Sequence, residues 1–245
     1  MQTDTLRIVG GNALKGDFIP QGAKNEALEV VAAVLLTDQV VSIHNLPDIL
    51  DVNNLILLLR DLGVKVRKIA AGSFQFQADD INLDYLETEA YRQQTRKLRG
   101  SVLLAGPLLA RFRKAVLPKP GGDKIGRRPL DTHLIGLKML GADFQFHAEK
   151  KSFEITADAL KGTYILMEEP SLTGTANVIM TAVLAEGTTT IYHAACEPYT
   201  QQLCKMLNRM GAKISGIGSN LLTIEGVEKL GGCEHTLLAD MLEIG

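Results

Sequence analysis

The sequence predicts an α/β domain in which one β-α-β-α-β-β unit is used three times. The first observation is a recurring motif in which a helix ends in Leu-Gly or Met-Gly and a short strand follows at once. Its copies occupy residues 58–66, 137–144 and 207–214. The motif glycines lie about 70 to 80 residues apart, a longer period than common solenoid repeats have. The second observation is that residues 33–48 and 182–198 share one order of helix end, strand and proline-containing turn.

The individual elements are predicted by the spacing of apolar residues. Residues 24–37 are apolar nearly all round, which is typical of a buried helix. Asp51 and Asp131 are each predicted to cap a helix whose leucines recur at helical spacing. Alternating aromatic and polar residues predict half-buried strands. The strand residues are Phe74 and Phe76, Phe144 and Phe146, and Phe153 and Ile155. The glycine of each repeated motif is predicted to end its helix in a left-handed conformation.

Composition excludes several classes of protein. The chain has 245 residues, of which 46% are hydrophobic and 22% charged, so it is neither disordered nor a disulfide scaffold. No apolar run approaches the ~18 residues of a membrane span, and residues 1–5 do not resemble a secretory signal. The 3 cysteines lack metal-ligand spacing, which favours free thiols in a reducing cytoplasm. Neither the scattered histidines nor the incomplete glycine motif at 216–218 indicates a metal or a cofactor.

Charge is balanced overall but not along the chain. Residues 92–128 hold 11 basic residues and a single acid, Asp123, whereas the net charge of the whole chain is -2. Such asymmetry indicates an anionic partner. The segment has one aromatic residue, Phe112, so it lacks the stacking surface typical of nucleic-acid binding. A small phosphorylated or carboxylated ligand fits better, and a solvated helix face is the structural alternative.

Three stretches are candidates for binding such a ligand. The loop 117–131 combines stiffening prolines, glycines that let backbone amides approach a ligand, and cations around Asp123. Lys24 and Asn25 open the first buried helix, where free N–H groups favour an anion. Residues 171–175 place hydroxyl groups at the start of a later helix. The last two stretches also have ordinary interpretations, as an exposed lysine and a plain N-cap.

These residues together resemble the enolpyruvyl transferases, in particular the branch that acts on UDP-N-acetylglucosamine. The resemblance is carried, in order along nearly the whole chain, by residues 22–25, 46–48, 118–133, 185–188, 197–198, 224–227 and 240–243. It implies an inside-out α/β barrel domain of three β-α-β-α-β-β units. It also implies transfer of the enolpyruvyl group from phosphoenolpyruvate to the sugar 3-hydroxyl, with release of phosphate. In this family the reaction is the first committed step of peptidoglycan synthesis in the bacterial cytoplasm, and the resemblance implies no cofactor.

The resemblance also implies roles for particular residues. Asp123 and Lys24 would be catalytic, with Lys24 contacting phosphoenolpyruvate. The implied substrate-binding residues are Lys24, Asn25, Arg99, Arg128, Pro129, Leu130, Asp131, Thr132, Ser171, Leu172 and Thr173. Asn25 would lie beside Lys24 at the sugar nucleotide, and Arg99 and Arg128 would hold anionic groups. Residues 128–132 would line the nucleotide end, and residues 171–173 would meet the diphosphate.

Asp123 stands where many members of the family have a cysteine that donates a proton. The epoxide antibiotic fosfomycin alkylates that cysteine. A carboxylate is much less nucleophilic than a thiolate toward an epoxide, so we expect this protein to resist fosfomycin. Intact mass measurement should show no covalent adduct on the wild-type chain, whereas Asp123→Cys should create one. An adduct that forms with time on the wild-type protein would contradict this expectation.

The resemblance further predicts a division of the chain. Residues 22–229 are expected to form a complete first domain, and residues 1–21 and 230–245 to belong to a second domain that lies mostly outside this sequence. Apolar residues of these two segments are expected to be disordered, to pair with each other or to drive self-association. Two alternatives stay open: the sister reaction on shikimate 3-phosphate, and a ligand-binding half-enzyme without turnover.

Overall fold

The computed structural model describes residues 5–13, 15–119, 121 and 129–245. The helices are α1 (Lys24–Ala33), α2 (Leu50–Asp61), α3 (Glu89–Thr95), α4 (Ala105–Phe112), α5 (Asp131–Met139), α6 (Leu172–Ala182), α7 (Pro198–Arg209) and α8 (Met241–Ile244). Short 3-10 helices span Val34–Leu36, Leu83–Glu87 and Arg99–Leu104. The strands are β1 (Val41–His44), β2 (Lys65–Ala70), β3 (Ser73–Gln77), β4 (Lys114–Pro118), β5 (Asp143–His147), β6 (Ser152–Thr156), β7 (Tyr164–Leu166), β8 (Thr188–Tyr192), β9 (Lys213–Ser215), β10 (Leu221–Glu225) and β11 (Cys233–Thr236).

The strands form three separate sheets, one for each predicted unit. Their strand orders are β11-β1-β3-β2, β4-β6-β5 and β7-β8-β10-β9. The first and third sheets each contain one parallel pair, β11 with β1 and β7 with β8. The remaining pairs in these two sheets are antiparallel. The repeat inferred from the motif glycines is therefore present as a repeat of sheet topology.

The helices lie inside and the sheets outside. Helix α1 is buried from Glu26 to its end, and α6 is buried from Gly174 to its end. These two helices pack with α4, α5 and α7, whereas β2 is exposed along most of its length. Such all-round burial explains why residues 24–37 show no amphipathic pattern. The prediction of an α/β fold with buried helices is confirmed.

The helix ends show which local predictions hold. Gly63, Gly141 and Gly211 have φ angles of 110°, 106° and 104°, so the left-handed helix ends are confirmed. The two aspartate caps are wrong, because α2 begins one residue before Asp51 and α5 begins at Asp131 itself. Both carboxylates therefore lie in the first turn, where they interact favourably with the helix dipole without capping a backbone N–H.

The three units are not identical. The third unit has the full β-α-β-α-β-β order, from β7 to β10. The second unit forms a sheet of three strands within the described residues. The first unit takes its parallel strand from β11, far along the chain, so residues 233–236 of the predicted end segment lie in the first sheet. The boundary at residue 229 did not anticipate this pairing, and the division into two domains stays a prediction.

A buried polar chain anchors β11. The Arg209 side chain on α7 donates to His235 Nδ1, and His235 Nε2 lies 2.7 Å from Glu26 Oε1 on α1. The second oxygen of Glu26 accepts a hydrogen bond from the Leu238 amide at 3.1 Å. His235 and Glu26 are both buried, so their polar atoms need these hydrogen bonds in place of water.

The two predicted end segments meet at the start of α1. Gly22 forms an antiparallel bridge with Ala239, and the Asp240 amide donates to the Gln21 carbonyl at 2.8 Å. Earlier residues pack little: Leu6 and Ile19 are 88% and 89% exposed. The segments thus pair with each other at this junction. Among the helices of the described ranges, none has the length and apolar character required to cross a bilayer.

Candidate functional site

A cleft of about 390 Å³ opens where several helices begin. The starts of α1, α2, α5, α6 and the 3-10 helix Arg99–Leu104 all contribute to it or adjoin it. Its lining residues are Lys24, Asn25, Leu28, Asp51, Arg99, Gly100, Pro129, His133, Glu169, Ser171 and Thr173. Helix N-termini carry partial positive charge and free N–H groups, so their convergence with two cations makes this an anion-binding geometry.

A larger cavity of about 560 Å³ lies elsewhere, around Arg111. The guanidinium of Arg111 donates to the carbonyls of Leu35, Thr37 and Ala78, at 3.1, 3.0 and 2.6 Å. These bonds use the arginine to tie backbone segments together. The size of that cavity therefore does not make it the better site.

The cleft brings together most of the site residues predicted from the sequence. The predicted residues that line it are Lys24, Asn25, Arg99, Pro129, Ser171 and Thr173. Thr132 is buried nearby, its hydroxyl donating to Glu169 Oε1 at 3.2 Å. Leu130 lines a neighbouring apolar pocket, while Asp131 and Leu172 line neither. Asp123 and Arg128 lie outside the described residues.

Sequence reasoning missed three polar residues of the cleft. Asp51 was assigned to a helix cap, His133 to a structural role, and Glu169 to no role at all. Glu169 directly precedes the Pro170-Ser171 start of α6, which is the signal that could have found it. Asp51 lies on α2 and His133 on α5, so only the packing of α2 against α1 and of α5 against α6 brings them here.

Lys24 is held at both ends. Its amide donates to Asp240 Oδ2 at 3.1 Å, and its ammonium lies 2.5 Å from Asp51 Oδ2. Lys24 and Asp51 are both partly exposed to the cleft, at 44% and 33% of their side chains. An anionic ligand that binds Lys24 must therefore compete with the Asp51 carboxylate.

His133 is buried at the base of the cleft. Burial, followed by the nearby charge of Arg99, lowers the pKa of His133 to about 4, so the imidazole is neutral at pH 7. Its Nε2 lies 3.1 Å from Thr173 Oγ1, and its Nδ1 lies 2.8 Å from Asn177 Nδ2. The ring thus joins the lining hydroxyl of Thr173 to the buried interior of α6.

Ser171 has the capping role that the sequence left as an alternative. Its hydroxyl accepts a hydrogen bond from the Gly174 amide at 3.2 Å, which caps α6. Helix geometry leaves the other first N–H groups of α6 without partners within the helix. Capping and ligand contact are compatible, because a hydroxyl that accepts one bond retains its own proton for another.

Most described cations of the basic segment 92–128 are used inside the fold. Arg92 pairs with Glu89, and Lys114 pairs with Glu87 and Glu154. Among the described cations of this segment, Arg99 is the one that lines the cleft. The excess of positive charge predicted an anionic ligand for this segment, and Arg99 is the side chain that brings this charge to the cleft. Across the described residues, no cluster of histidine, cysteine and acidic side chains is arranged to bind a metal ion.

Fold and cleft define a class: an α/β domain of three repeated units with buried helices, in which several helix starts and two cations gather at one cleft. The family model for EPSP synthase (3-phosphoshikimate 1-carboxyvinyltransferase) matches residues 8–244. The chain belongs to this family.

Curated relatives are similar to the chain in sequence, and solved structures share its fold. UDP-N-acetylglucosamine 1-carboxyvinyltransferases from Porphyromonas gingivalis and Treponema denticola are 61% and 47% identical to the chain over 238 residues. These matches cover 97% of this chain and 55% and 54% of the relatives, so the chain spans about half their length. The enolpyruvyl transferase NikO from Streptomyces tendae shares the fold with a TM-score of 0.80 at 24% identity, over 96% of this chain and 54% of NikO. EPSP synthase from Acinetobacter baumannii gives 0.72 at 22%, over 95% of this chain and 52% of that enzyme.

Proposed function

We propose that the chain is part of an enzyme that moves the enolpyruvyl group of phosphoenolpyruvate to the 3-hydroxyl of UDP-N-acetylglucosamine and releases phosphate. The observation that carries the proposal is the gathering of Lys24, Asn25, Arg99, Ser171 and Thr173 in one cleft. Both substrates are polyanions, and cations with helix N-termini are suited to hold them. The names of the relatives at 61% identity favour UDP-N-acetylglucosamine as the acceptor of a carboxyvinyl group.

The cleft supports a division of labour among its residues. Lys24 and Arg99 would hold phosphate or carboxylate groups by charge-assisted hydrogen bonds. The start of α6, with Ser171 and Thr173, would receive the diphosphate. We retain Asp123 as the proposed proton donor and Arg128 as a proposed anion contact. A positioned acid is required because the methylene carbon must gain a proton as the new C–O bond forms.

The test compares two ligands and two lengths of chain. Titration calorimetry should show binding of UDP-N-acetylglucosamine and weaker or absent binding of shikimate 3-phosphate, the substrate type suggested by the name of the family model. Phosphate release should appear with a chain extended to the length of the relatives. Release by the 245-residue chain alone would contradict the half-enzyme alternative, and preference for shikimate 3-phosphate would contradict the proposed acceptor.

The ion pair between Lys24 and Asp51 gives a specific prediction. Lys24→Met should weaken binding of UDP-N-acetylglucosamine or phosphoenolpyruvate by about tenfold or more, because a charged hydrogen bond is lost. Asp51→Asn should strengthen binding, since the ligand no longer competes with a carboxylate for the Lys24 ammonium. The gain should be only about two- to fivefold, because a partly exposed ion pair is weak. Both are measured by calorimetric titration. If Asp51→Asn instead weakens binding as much as Lys24→Met, the carboxylate orients the lysine and does not compete.

Three further proposals accompany the function. We propose that residues 22–229 are the core of one domain, with β11 added to its first sheet. We propose that the exposed apolar residues before α1 contact a second domain or a second copy of the chain. We also propose cytoplasmic action, which is supported by three unpaired cysteines.

A further inference from the structure

The amide orientation of Asn177 is determined by two backbone groups. Asn177 is fully buried on α6. Its Oδ1 accepts a hydrogen bond from the Gly106 amide at 2.8 Å, and its Nδ2 donates to the Val102 carbonyl at 2.9 Å. Exchanging the two atoms would place donor against donor and acceptor against acceptor. The Nδ2 group must therefore be the atom that faces His133.

The orientation of Asn177 in turn determines the tautomer of His133. Nδ2 is only a donor, and it lies 2.8 Å from His133 Nδ1. Nδ1 must accept this bond, so the single ring proton of a neutral imidazole lies on Nε2. Burial favours the neutral ring, because it lowers the pKa of His133 to about 4.

The tautomer of His133 then orients the hydroxyl of Thr173. The Nε2–H group donates to Thr173 Oγ1 at 3.1 Å, which makes the threonine oxygen the acceptor. The hydroxyl proton must point elsewhere. Within the ranges that the structure describes, no protein acceptor receives it. Thr173 lines the cleft, so its proton is available to an acceptor there.

We propose that Asn177 and His133 are positioning residues that hold the Thr173 hydroxyl as a hydrogen-bond donor to a phosphate oxygen of the bound nucleotide sugar. This inference rests on the proposed function for the identity of the ligand. The hydrogen bonds from Asn177 to His133 and from His133 to Thr173 are formed within the protein and do not depend on a ligand. A donor fixed before binding loses less entropy on binding than a rotating hydroxyl.

The first test measures the tautomer directly. A ¹⁵N-labelled 245-residue chain at pH 7 should show His133 with a protonated Nε2 and an unprotonated Nδ1 in long-range ¹H–¹⁵N correlation spectra. His133→Gln serves to assign the signals. An Nδ1–H tautomer, or an imidazolium at pH 7, would overturn the proposal whether or not any ligand binds.

The second test measures binding of UDP-N-acetylglucosamine by calorimetry. Thr173→Val removes the hydroxyl at nearly constant volume and should raise Kd about tenfold or more, whereas Thr173→Ser should stay within about threefold of wild type. His133→Gln keeps one acceptor and one donor at the ring nitrogens' spacing and should also bind within about threefold. His133→Met offers neither group and should behave like Thr173→Val.

The outcomes separate this inference from the proposed function. Unchanged binding by Thr173→Val, or equal losses in the valine and serine variants, would overturn the role of the hydroxyl. If the wild-type chain has the expected tautomer but binds no nucleotide sugar, the proposed function fails while the hydrogen-bond order stands. Loss of binding by His133→Gln with the fold intact would show that the ring acts by some means other than its donor and acceptor pair.

Discussion

Replacing Gly106 with alanine is expected to lower the free energy of unfolding by about 3 kcal/mol. Gly106 lies in the first turn of α4, where that helix crosses α6. A methyl group there would lie 2.6 Å from the Asn177 carbonyl oxygen and 2.8 Å from Asn177 Oδ1. The helices must separate to admit it, which also weakens the Gly106–Asn177 hydrogen bond.

Urea unfolding followed by circular dichroism would measure this loss. Gly231→Ala is the matched control, because its methyl group would meet only the Met210 carbonyl at 3.6 Å and its φ is not in the left-handed region. We expect the control to change stability by no more than about 0.5 kcal/mol. Equal stability of Gly106→Ala and wild type would show that α4 and α6 are not in close contact in solution.

The stability of the domain is expected to fall as pH rises above 5 because of Glu29. This carboxyl group on α1 is fully buried, and neither of its oxygens has a partner within the described residues. Burial raises the pKa of Glu29 well above its ordinary value, and the neighbouring Glu26 and Glu197 raise it further. The Cys204 thiol on α7 also faces it, with a pKa raised to about 12 chiefly by burial.

The sign follows from the number of bound protons. Above pH 4.5 the unfolded chain loses the Glu29 proton while the folded chain keeps it, so the folded state binds more protons. The stabilisation is complete below the unfolded pKa and is lost as pH rises toward the raised folded pKa. The contribution changes by up to about 1.4 kcal/mol per pH unit.

Urea unfolding between pH 5 and pH 8 on wild type and Glu29→Gln would test this slope. The glutamine cannot ionise, so the wild type should lose stability relative to the variant as pH rises. Glu149→Gln, at an exposed position between β5 and β6, should leave the slope unchanged. Parallel pH profiles of wild type and Glu29→Gln would show that Glu29 is not buried as a neutral acid.

Local features were predictable because their causes are local. The left-handed glycines at 63, 141 and 211 end helices for backbone reasons that a few residues contain. The alternation around Phe74, Phe144 and Phe153 produces β3, β5 and β6. The Ser171 cap is a local hydrogen bond to Gly174. The caps expected at Asp51 and Asp131 failed because packing of the whole helix, and not one side chain, sets where it begins.

The candidate site was predictable only in part. Lys24, Asn25 and Ser171 were found because they stand at the starts of helices, where the sequence shows both the residue and the end. Asp51 and His133 were not found, since each reaches the cleft only after its helix packs against another, α2 against α1 and α5 against α6. The chain from Asn177 through His133 to Thr173 joins two helices by side-chain atoms, and no spacing along the sequence reports such a contact.

The sequence by itself therefore determined the repeated unit, the buried character of α1, and the helix starts at Lys24 and Ser171. These follow from apolar periodicity, glycine conformation and the charge of neighbouring residues. Only the tertiary structure decided that β11 completes the first sheet, that Arg209, His235 and Glu26 anchor it, and that Asn177 directs a hydroxyl group into the cleft. The reason is distance along the chain: such contacts form between residues far apart in sequence, and what selects them is the burial and complete hydrogen bonding of the folded interior.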